Sequence, residues 1–262
     1  MSDDIILSEF SQGRATVTLN RPDVHNAFDD TLIARLTDEL KFLDGNPDVR
    51  AVVLAAAGKS FSAGADLKWM QRMAEYSEAE NLADAQAMAE LMRVLNGLSK
   101  PTIARVQGAA FGGGVGLIAC CDIAIATEAA RFSISEVKLG LIPAVISPYV
   151  VAVIGERQAR RYALTAERFD ASEAHRIGLV HCIVAPDGLD AEIDDLINAI
   201  TANGPQAVAE AKAMITMVAR HPINEDLIAD TASRIARIRV SEEGLEGLAA
   251  FLEKRKPGWD VS

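Results

Sequence analysis

The chain has few cysteines, few aromatic residues and no long apolar run. Its three cysteines among 262 residues cannot complete a set of paired disulfides. Cys120 and Cys121 are adjacent, and no histidine stands near them at the spacing of a metal site. The longest uncharged run, residues 139–155, contains two prolines and falls short of the roughly 20 apolar residues that cross a bilayer. We therefore expect reduced thiols in a cytoplasmic protein with no metal and no membrane span.

Positive charge is also scarce. The 26 lysines and arginines are outnumbered by 37 aspartates and glutamates, and the net charge of −11 argues against binding to nucleic acid. Residues 1–4 are acidic and lack the basic and then apolar layout of a secretion signal. Hydrophobic residues make up 50% of the chain, which is enough for one substantial core or for a core plus a small appendage.

Short β-like runs alternate with helical patterns in the first half of the chain. Residue type and apolar spacing predict strands over residues 15–19, 49–56 and 102–106 and helices over residues 28–43 and 81–98. After about residue 155 the pattern is helical, apart from one β-like run at residues 179–184. The alternation predicts an α/β fold that binds ligands at strand ends, followed by an apolar helical tail that packs on its own core or on a neighbouring subunit.

The most unusual motif is a run of three glycines, Gly112, Gly113 and Gly114. Three consecutive glycines are costly to order, because glycine loses the most backbone freedom on folding. The run lies between the apolar residues 102–106 and the helix-compatible residues 117–121, so it predicts a strand, a tight turn and a helix start. Backbone N–H groups at such a helix start suit an anionic oxygen. The alternative is a close helix–sheet contact that requires small residues.

Two further segments have residues suited to chemistry. Residues 61–68 follow a strand and a turn, and their small side chains allow a ligand to approach the backbone. Residues 132–143 contain a lone carboxylate, Glu136, among apolar neighbours. Burial raises the pKa of a carboxyl group toward neutrality, as general acid/base catalysis requires. The alternative is a surface glutamate paired with Lys138.

Together these segments resemble the crotonase (enoyl-CoA hydratase/isomerase) superfamily over nearly the whole chain. The matching motifs, in chain order, are Asn20-Arg21-Pro22 with Asn26-Ala27, Ser62-Ala63-Gly64-Ala65-Asp66-Leu67, the glycine triplet with Cys121-Asp122-Ile123, Glu136 with Leu139-Gly140 and Ile142-Pro143, and the stretch from Ala250 to Pro257. The resemblance implies a crotonase (ClpP/crotonase-like) spiral of ββα repeats over residues 1–199. It also implies a C-terminal helical trimerisation region over residues 200–262.

The resemblance also implies roles for individual residues. The backbone N–H groups of Ala65 and Gly113 would bind the thioester oxygen, and Glu136 would act as the acid/base. The implied assembly is a homotrimer or a dimer of trimers, with no permanently bound cofactor, since coenzyme A arrives as part of an acyl-CoA substrate. The implied coenzyme A site consists of Ala27, Ala63, Asp66 and Leu67, with Phe251 and Lys254 reaching the nucleotide across a subunit boundary.

The chain departs from the superfamily at one position of the site. Typical hydratases carry a second glutamate two residues after the glycine triplet, where this chain has Gly116. Losing one acid/base partner commonly costs about 10²–10⁴ in rate. Three functions therefore stay open: a hydratase, a double-bond isomerase that uses Glu136 alone, and an acyl-CoA-binding protein with little activity. Glu75, Glu78 and Glu80 are candidates for a second acid, and a solvated helix face is the alternative interpretation of these three residues.

Residues 110–117 and 135–150 resemble a bacterial branch that acts on 3-methylglutaconyl-CoA and isohexenylglutaconyl-CoA, in leucine and acyclic terpene breakdown. Residues 144–147 read Ala-Val-Ile-Ser where most members of the superfamily are rich in glycine. Such substrates carry a distal carboxylate, for which Lys68, Arg72 and Lys138 are candidate counter-ions. The alternative for each of the three is an ordinary surface residue. We predict hydration of a 2-enoyl-CoA, of a branched glutaconyl type, in leucine, terpene or fatty-acid catabolism.

Overall fold

The structure is a computed structural model that describes residues 4–260, so residues 1–3 of the acidic start lie outside it. Its strands are β1 Ile6–Ser11, β2 Arg14–Leu19, β3 Ala51–Ala56, β4 Ser60–Ser62, β5 Thr102–Val106, β6 Ala109–Phe111, β7 Ile123–Thr127, β8 Arg131–Ser133, β9 Phe169–Asp170 and β10 Cys182–Val184. Its helices are α1 Asp30–Gly45, α2 Leu67–Met73, α3 Glu78–Gly97, α4 Gly113–Cys120, α5 Ser147–Thr165, α6 Ala171–Arg176, α7 Leu189–Thr201, α8 Pro205–Val218, α9 Glu225–Arg239 and α10 Glu242–Glu253. Among the described residues, none of the helices combines the length and apolar character that a membrane crossing needs.

The strands form two sheets that share a repeating unit. The larger sheet has the order β1-β2-β3-β5-β7-β10, and the smaller one has the order β4-β6-β8-β9. Each of the pairs β3–β4, β5–β6 and β7–β8 contributes its first strand to the larger sheet and its second strand to the smaller one, and a helix follows. This ββα unit therefore occurs three times in succession. The predicted α/β fold with ββα repeats is confirmed.

Strand β3 shows why the centre of the larger sheet is so apolar. All six of its residues are buried, because both faces of the sheet are covered. Val52 and Leu54 lie in the main core, together with the leucines of α1. Ala51 and Val53 point to the opposite face and join a smaller core built with α7.

Most long elements lie close to their predicted positions. Strand β5 has the predicted bounds, whereas β3 begins two residues later than predicted. Helix α1 begins at Asp30, where the Asp29 side chain accepts a hydrogen bond from the backbone of Leu32. Helix α3 begins three residues earlier than predicted, because Ser77 and Glu80 form a capping box.

The predicted strand, tight turn and helix start around the glycine triplet are present, with a difference in detail. Strand β6 lies between β5 and the triplet, and α4 begins at Gly113 rather than near residue 117. Glycine disfavours helix interiors, so the sequence pattern hid this helix start. A second difference lies in the tail, which includes the short strand β9 besides the predicted β-like run.

Helices α8, α9 and α10 contribute little to the core of this chain. Neither α8 nor α9 has a buried residue, and Ala250 is the buried residue of α10. The three helices expose several large apolar side chains, namely Ile215, Ile228, Ile235, Leu245, Leu248, Phe251 and Leu252. The predicted division between residues 199 and 200 falls inside α7, and it stays a prediction.

Candidate active site

Three loops meet at one edge of the smaller sheet. Strands β4, β6 and β8 are neighbours and run parallel, with Ser62 opposite Ala110 and Phe111 opposite Ser133. The carboxyl ends of parallel neighbours lie at the same sheet edge. The residues after these strands are the three segments that the sequence singled out, and the fold places them side by side.

Backbone hydrogen bonds fix the first loop and leave one N–H group free. The N–H of Phe28 donates to Gly64 at 2.7 Å, and the N–H of Asp66 donates to Phe28 at 2.8 Å. Between these two bonds, the N–H of Ala65 finds no acceptor within residues 4–260, and Ala65 is exposed. The Asp66 carboxylate accepts from the backbone N–H of Lys68 at 2.8 Å and so caps α2.

The Asp66 side chain is engaged within the protein on both sides. Besides the cap, it forms an ion pair with Arg21 at 3.1 Å. Burial alone would raise the pKa of Asp66, but the cap bonds and Arg21 bring the pKa below its ordinary value. Asp66 is therefore a carboxylate that shapes the loop and holds it in place.

The second loop presents a helix start. Gly112 has a φ of +50° and donates its N–H to the Ser133 carbonyl at 2.9 Å, which turns the chain sharply into α4. Gly113 is the first residue of α4, so its N–H has no intrahelical partner, and no other acceptor lies in the described part of the chain. Two unpaired N–H groups, those of Ala65 and Gly113, thus lie on adjacent loops, the second at the positive end of a helix dipole.

Glu136 lies against the second loop. A Cβ placed on Gly112 would be 3.1 Å from Glu136 Oε1. The other oxygen, Oε2, is buried without a hydrogen-bond partner. Burial raises the pKa of Glu136, although the backbone N–H groups of Glu136 and Ser135 favour the ionised form. Lys138 is exposed and is not among the groups that affect the pKa of Glu136 in the described chain, so the surface-pair interpretation is not what the structure shows.

The space next to Gly116 is closed. A Cβ at this position would overlap Ile146 Cγ2 and lie 3.2 Å from Met92 Cε. Ile146 is buried and precedes α5, so any side chain at position 116 would meet this residue. The sequence shows both unusual positions, Gly116 and residues 144–147. It does not show that they are in contact, because the two segments are far apart along the chain.

The other carboxylates considered as a second acid point elsewhere. Glu75, Glu78 and Glu80 are exposed. Glu80 belongs to the cap of α3, and its hydrogen bonds with Ser77 lower its pKa. The solvated-face interpretation describes these three residues.

The structure brings together some of the predicted coenzyme A residues. Ala27 is buried, with its carbonyl held by Arg21 at 2.6 Å, and it lies beside the first loop, which contains Ala63. Leu67 begins α2 with 76% of its surface exposed. Phe251 and Lys254 are not brought to this group within the chain, since they lie at the end of α10, which packs on α8 and α9.

Two of the three candidate counter-ions for a distal carboxylate are unengaged in the described chain. Lys68 is exposed on α2, and Lys138 is exposed two residues after Glu136. Arg72, one turn after Lys68, is paired with Asp30 at 2.7 Å. Arg72 is therefore already engaged within the chain.

Comparisons with known proteins point to one family. Residues 9–261 match the family model described as enoyl-CoA hydratase/isomerase. The chain is similar to the crystal structure of an enoyl-CoA hydratase from Shewanella pealeana, with a TM-score of 0.95 and 50% identity over 98% of this chain and 96% of that one. It is 32% identical to a crotonyl-CoA hydratase of Syntrophomonas wolfei, over 98% of each chain. It is also 35% identical to a mevalonyl-coenzyme A hydratase of Aspergillus fumigatus, over 94% of this chain and 91% of that one.

Proposed function

The chain belongs to the enoyl-CoA hydratase/isomerase family, and from this premise we propose that it adds water across the double bond of a 2-enoyl-CoA. The proposal rests on the position of Glu136. Its unpartnered, buried carboxylate oxygen lies at the loop that presents the Gly113 N–H group, next to the loop of Ala65.

The two N–H groups supply the electrostatic part of the mechanism. Adding water to C3 of an enoyl thioester places negative charge on the thioester oxygen. In our proposal, Ala65 and Gly113 donate to that oxygen and bind it more strongly as the charge grows. One donor in a comparable site contributes about 2.7–4 kcal/mol to the transition state.

Glu136 supplies the proton part. The water oxygen bonds to C3 and gives up one proton to a neighbouring base or to solvent, while C2 gains a proton from the Glu136 carboxyl group, which gives a 3-hydroxyacyl thioester. Glu136 then takes up a proton, which restores the resting state. Because burial raises its pKa, Glu136 keeps its proton to a higher pH than an exposed glutamate does, as a proton donor requires. The burial of Glu136 thus favours proton transfer from its carboxyl group to C2 of the substrate.

We propose an acyl group of the branched glutaconyl type, such as 3-methylglutaconyl. The support is the resemblance of residues 110–117 and 135–150 to the corresponding branch, together with Ile146, which narrows the site beside Gly116. Lys68 and Lys138 are the unengaged candidates for the distal carboxylate.

A second candidate function, double-bond isomerisation, is favoured by one observation. The closed space at Gly116 leaves Glu136 as the carboxylate at the glycine loop. An isomerase needs only one base, which removes a proton from one carbon and returns it to another.

Two thioesters separate the two functions. The purified protein is incubated with a 2-enoyl-CoA and, separately, with the matching 3-enoyl-CoA. Loss of the conjugated enoyl absorbance, with a product one water heavier by mass spectrometry, supports the hydratase. Appearance of that absorbance from the 3-enoyl substrate, with no mass change, supports the isomerase instead. Comparing crotonyl-CoA with 3-methylglutaconyl-CoA then tests the acyl preference, and a higher kcat/KM for crotonyl-CoA would contradict it.

We also propose that the chain acts as a trimer or a dimer of trimers. The exposed apolar side chains of α8–α10 support this assembly, because a second copy would bury them. In such an assembly, Phe251 and Lys254 would reach the coenzyme A nucleotide of a neighbouring subunit. The absence of a resident cofactor and the cytoplasmic location stay predictions.

A further inference from the structure

One face of α3 packs along α4, and α3 extends beyond the first residue of α4. Met88 Cε would be 2.8 Å from a Cβ on Gly113, and Met92 Cε would be 3.2 Å from a Cβ on Gly116. One turn later, the Asn96 amide reaches the Cys120 carbonyl at the end of α4 at 3.4 Å. The two helices therefore run side by side in the same direction, in a fixed register.

The same register places a carboxylate in front of the start of α4. Asp84 precedes Met88 by four residues, so it lies on the same face of α3, about 6 Å nearer the helix start. Its Oδ1 accepts a hydrogen bond from Trp69 Nε1 at 3.1 Å. The Trp69 backbone N–H in turn lies 3.3 Å from the Asp66 carboxylate, which follows Ala65 in the first loop. Asp84 is thus tied to the loop that presents one of the two free N–H groups.

The Asp84 carboxylate has capacity left for a ligand. It is half-buried, and within residues 4–260 it forms no ion pair and no hydrogen bond through Oδ2. Burial raises the pKa of Asp84, and Asp30 raises it further, whereas the Trp69 hydrogen bond and Arg72 lower it. In the described chain, Asp84 and Glu136 are the two carboxyl groups whose pKa is clearly raised. Raised carboxyl pKa values next to an open loop are typical of acid/base sites.

We propose that Asp84 is the second carboxylate of the acyl site and that it holds the water that adds to C3. This inference rests on the proposed hydration. As the water oxygen bonds to C3, Asp84 accepts one proton from the water, and Glu136 gives its proton to C2. Release of the Asp84 proton to solvent and uptake of one by Glu136 restore both groups, so protons balance over the cycle. The closed space at Gly116 explains why the second carboxylate comes from α3.

Asp84→Asn tests the role directly. Asparagine keeps the size of the side chain and an oxygen for Trp69, but it cannot accept the proton. We expect kcat for hydration to fall by about 10²–10⁴. KM is expected to stay near the wild-type value, and the loss of rate at acid pH, which reports ionisation of Asp84, is expected to disappear. The charged groups that shift the pKa of Asp84, and so the pH at which this loss of rate occurs, are Asp30 and Arg72.

The matched control is Glu78→Gln, which changes an exposed carboxylate on the same helix. This variant should leave the hydration rate unchanged.

A second readout separates this role from a structural one. Exchange of the C2 hydrogens of a saturated acyl-CoA in deuterium oxide needs Glu136 and the two N–H groups but no added water. We expect Asp84→Asn to keep this exchange while it loses hydration. Equal loss of both activities, or hydration at the wild-type rate, would overturn the role of Asp84.

The outcomes also separate this inference from the proposed function. If the wild type hydrates none of the enoyl thioesters, both the proposed hydration and the role of Asp84 are contradicted. If the wild type hydrates them and Asp84→Asn is equally active, only the role of Asp84 is contradicted. If circular dichroism shows that Asp84→Asn does not fold, Asp84→Glu carries the test. A lowered kcat at unchanged KM then supports the role, and wild-type kcat contradicts it.

Discussion

At the scale of the residue, the site is defined by groups that lack partners. Glu136 keeps one buried carboxylate oxygen without a hydrogen bond, which costs stability in the resting protein. Such a cost is expected where a side chain must exchange a proton with a substrate. Gly116 is the opposite case, because its surroundings are fully occupied by Ile146 and Met92.

Replacing Glu136 by glutamine should change stability in a pH-dependent way. The folded-state pKa of Glu136 is raised, so the wild type loses stability as pH rises from the unfolded pKa of about 4.3 through the folded pKa. Glutamine does not ionise, so Glu136→Gln should be more stable than the wild type above this window and should lose the advantage below it. Urea unfolding of the two proteins, at one pH below the unfolded pKa and at one pH above the folded pKa, measures the difference in stability. A gain equal at both pH values, or one shared by the exposed Glu78→Gln, would contradict the argument.

Adding a methyl group at Gly116 should destabilise the protein. A Cβ there overlaps Ile146 Cγ2, and overpacking of this kind costs about 1–3 kcal/mol. The cost of Gly116→Ala should shrink in an Ile146→Ala background, which removes the overlapping atom. Urea unfolding of the four proteins in this cycle gives the coupling, and an additive cycle would count against the contact. Gly45→Ala is the control, since nothing lies within 4 Å of its new Cβ.

At the scale of the element, the start of α4 organises the site. Strand β6 leads into Gly112, the helix begins at Gly113, and α3 packs along it through Met88 and Met92. The sequence predicted that the glycines present N–H groups at a helix start, but it placed that start about four residues too late. Strands of three residues such as β4 and β6 carry too little periodicity to be recognised from the sequence.

Gly113→Pro, compared with Gly113→Ala, isolates the N–H group of Gly113. Either side chain meets Met88 Cε and the Phe28 ring, so both variants share the steric cost. Proline is tolerated at a first helical position but has no N–H to donate. We expect kcat for the proline variant to be about 10²–10³ below that of the alanine variant. Equal hydration rates for the two variants would show that this N–H does not bind the thioester oxygen.

At the scale of the whole molecule, the sequence predicted the α/β class, the long strands and the segments that meet at the site. Convergence of those segments required the smaller sheet, whose short strands pair residues about 20 to 50 positions apart (Ser62 with Ala110, Phe111 with Ser133). The contact between Gly116 and Ile146 and the approach of Asp84 to the first loop are likewise long-range. The sequence contained these residues, but packing alone brings them together.

The apolar surface of α8–α10 should hold copies of the chain together. Phe251 is 81% exposed on α10, and placing a charge there should oppose the burial that a second copy would provide. We expect Phe251→Glu to shift the mass measured by light scattering from a multiple of three chains toward the single chain. Phe42→Glu, at an exposed phenylalanine on α1, should leave the assembly intact. A wild-type protein that is monomeric at micromolar concentration would contradict the proposed assembly.

In the proposed mechanism, Glu136 transfers a proton to a thioester substrate held by Ala65 and Gly113. The most direct measurement is the hydration rate of a 2-enoyl-CoA by the wild type and by Glu136→Gln, with the affinity for the acyl-CoA measured in parallel by calorimetry. The predicted result is a loss of about 10²–10⁴ in kcat with acyl-CoA binding close to that of the wild type. A Glu136→Gln variant that hydrates the substrate at the wild-type rate would contradict the claim.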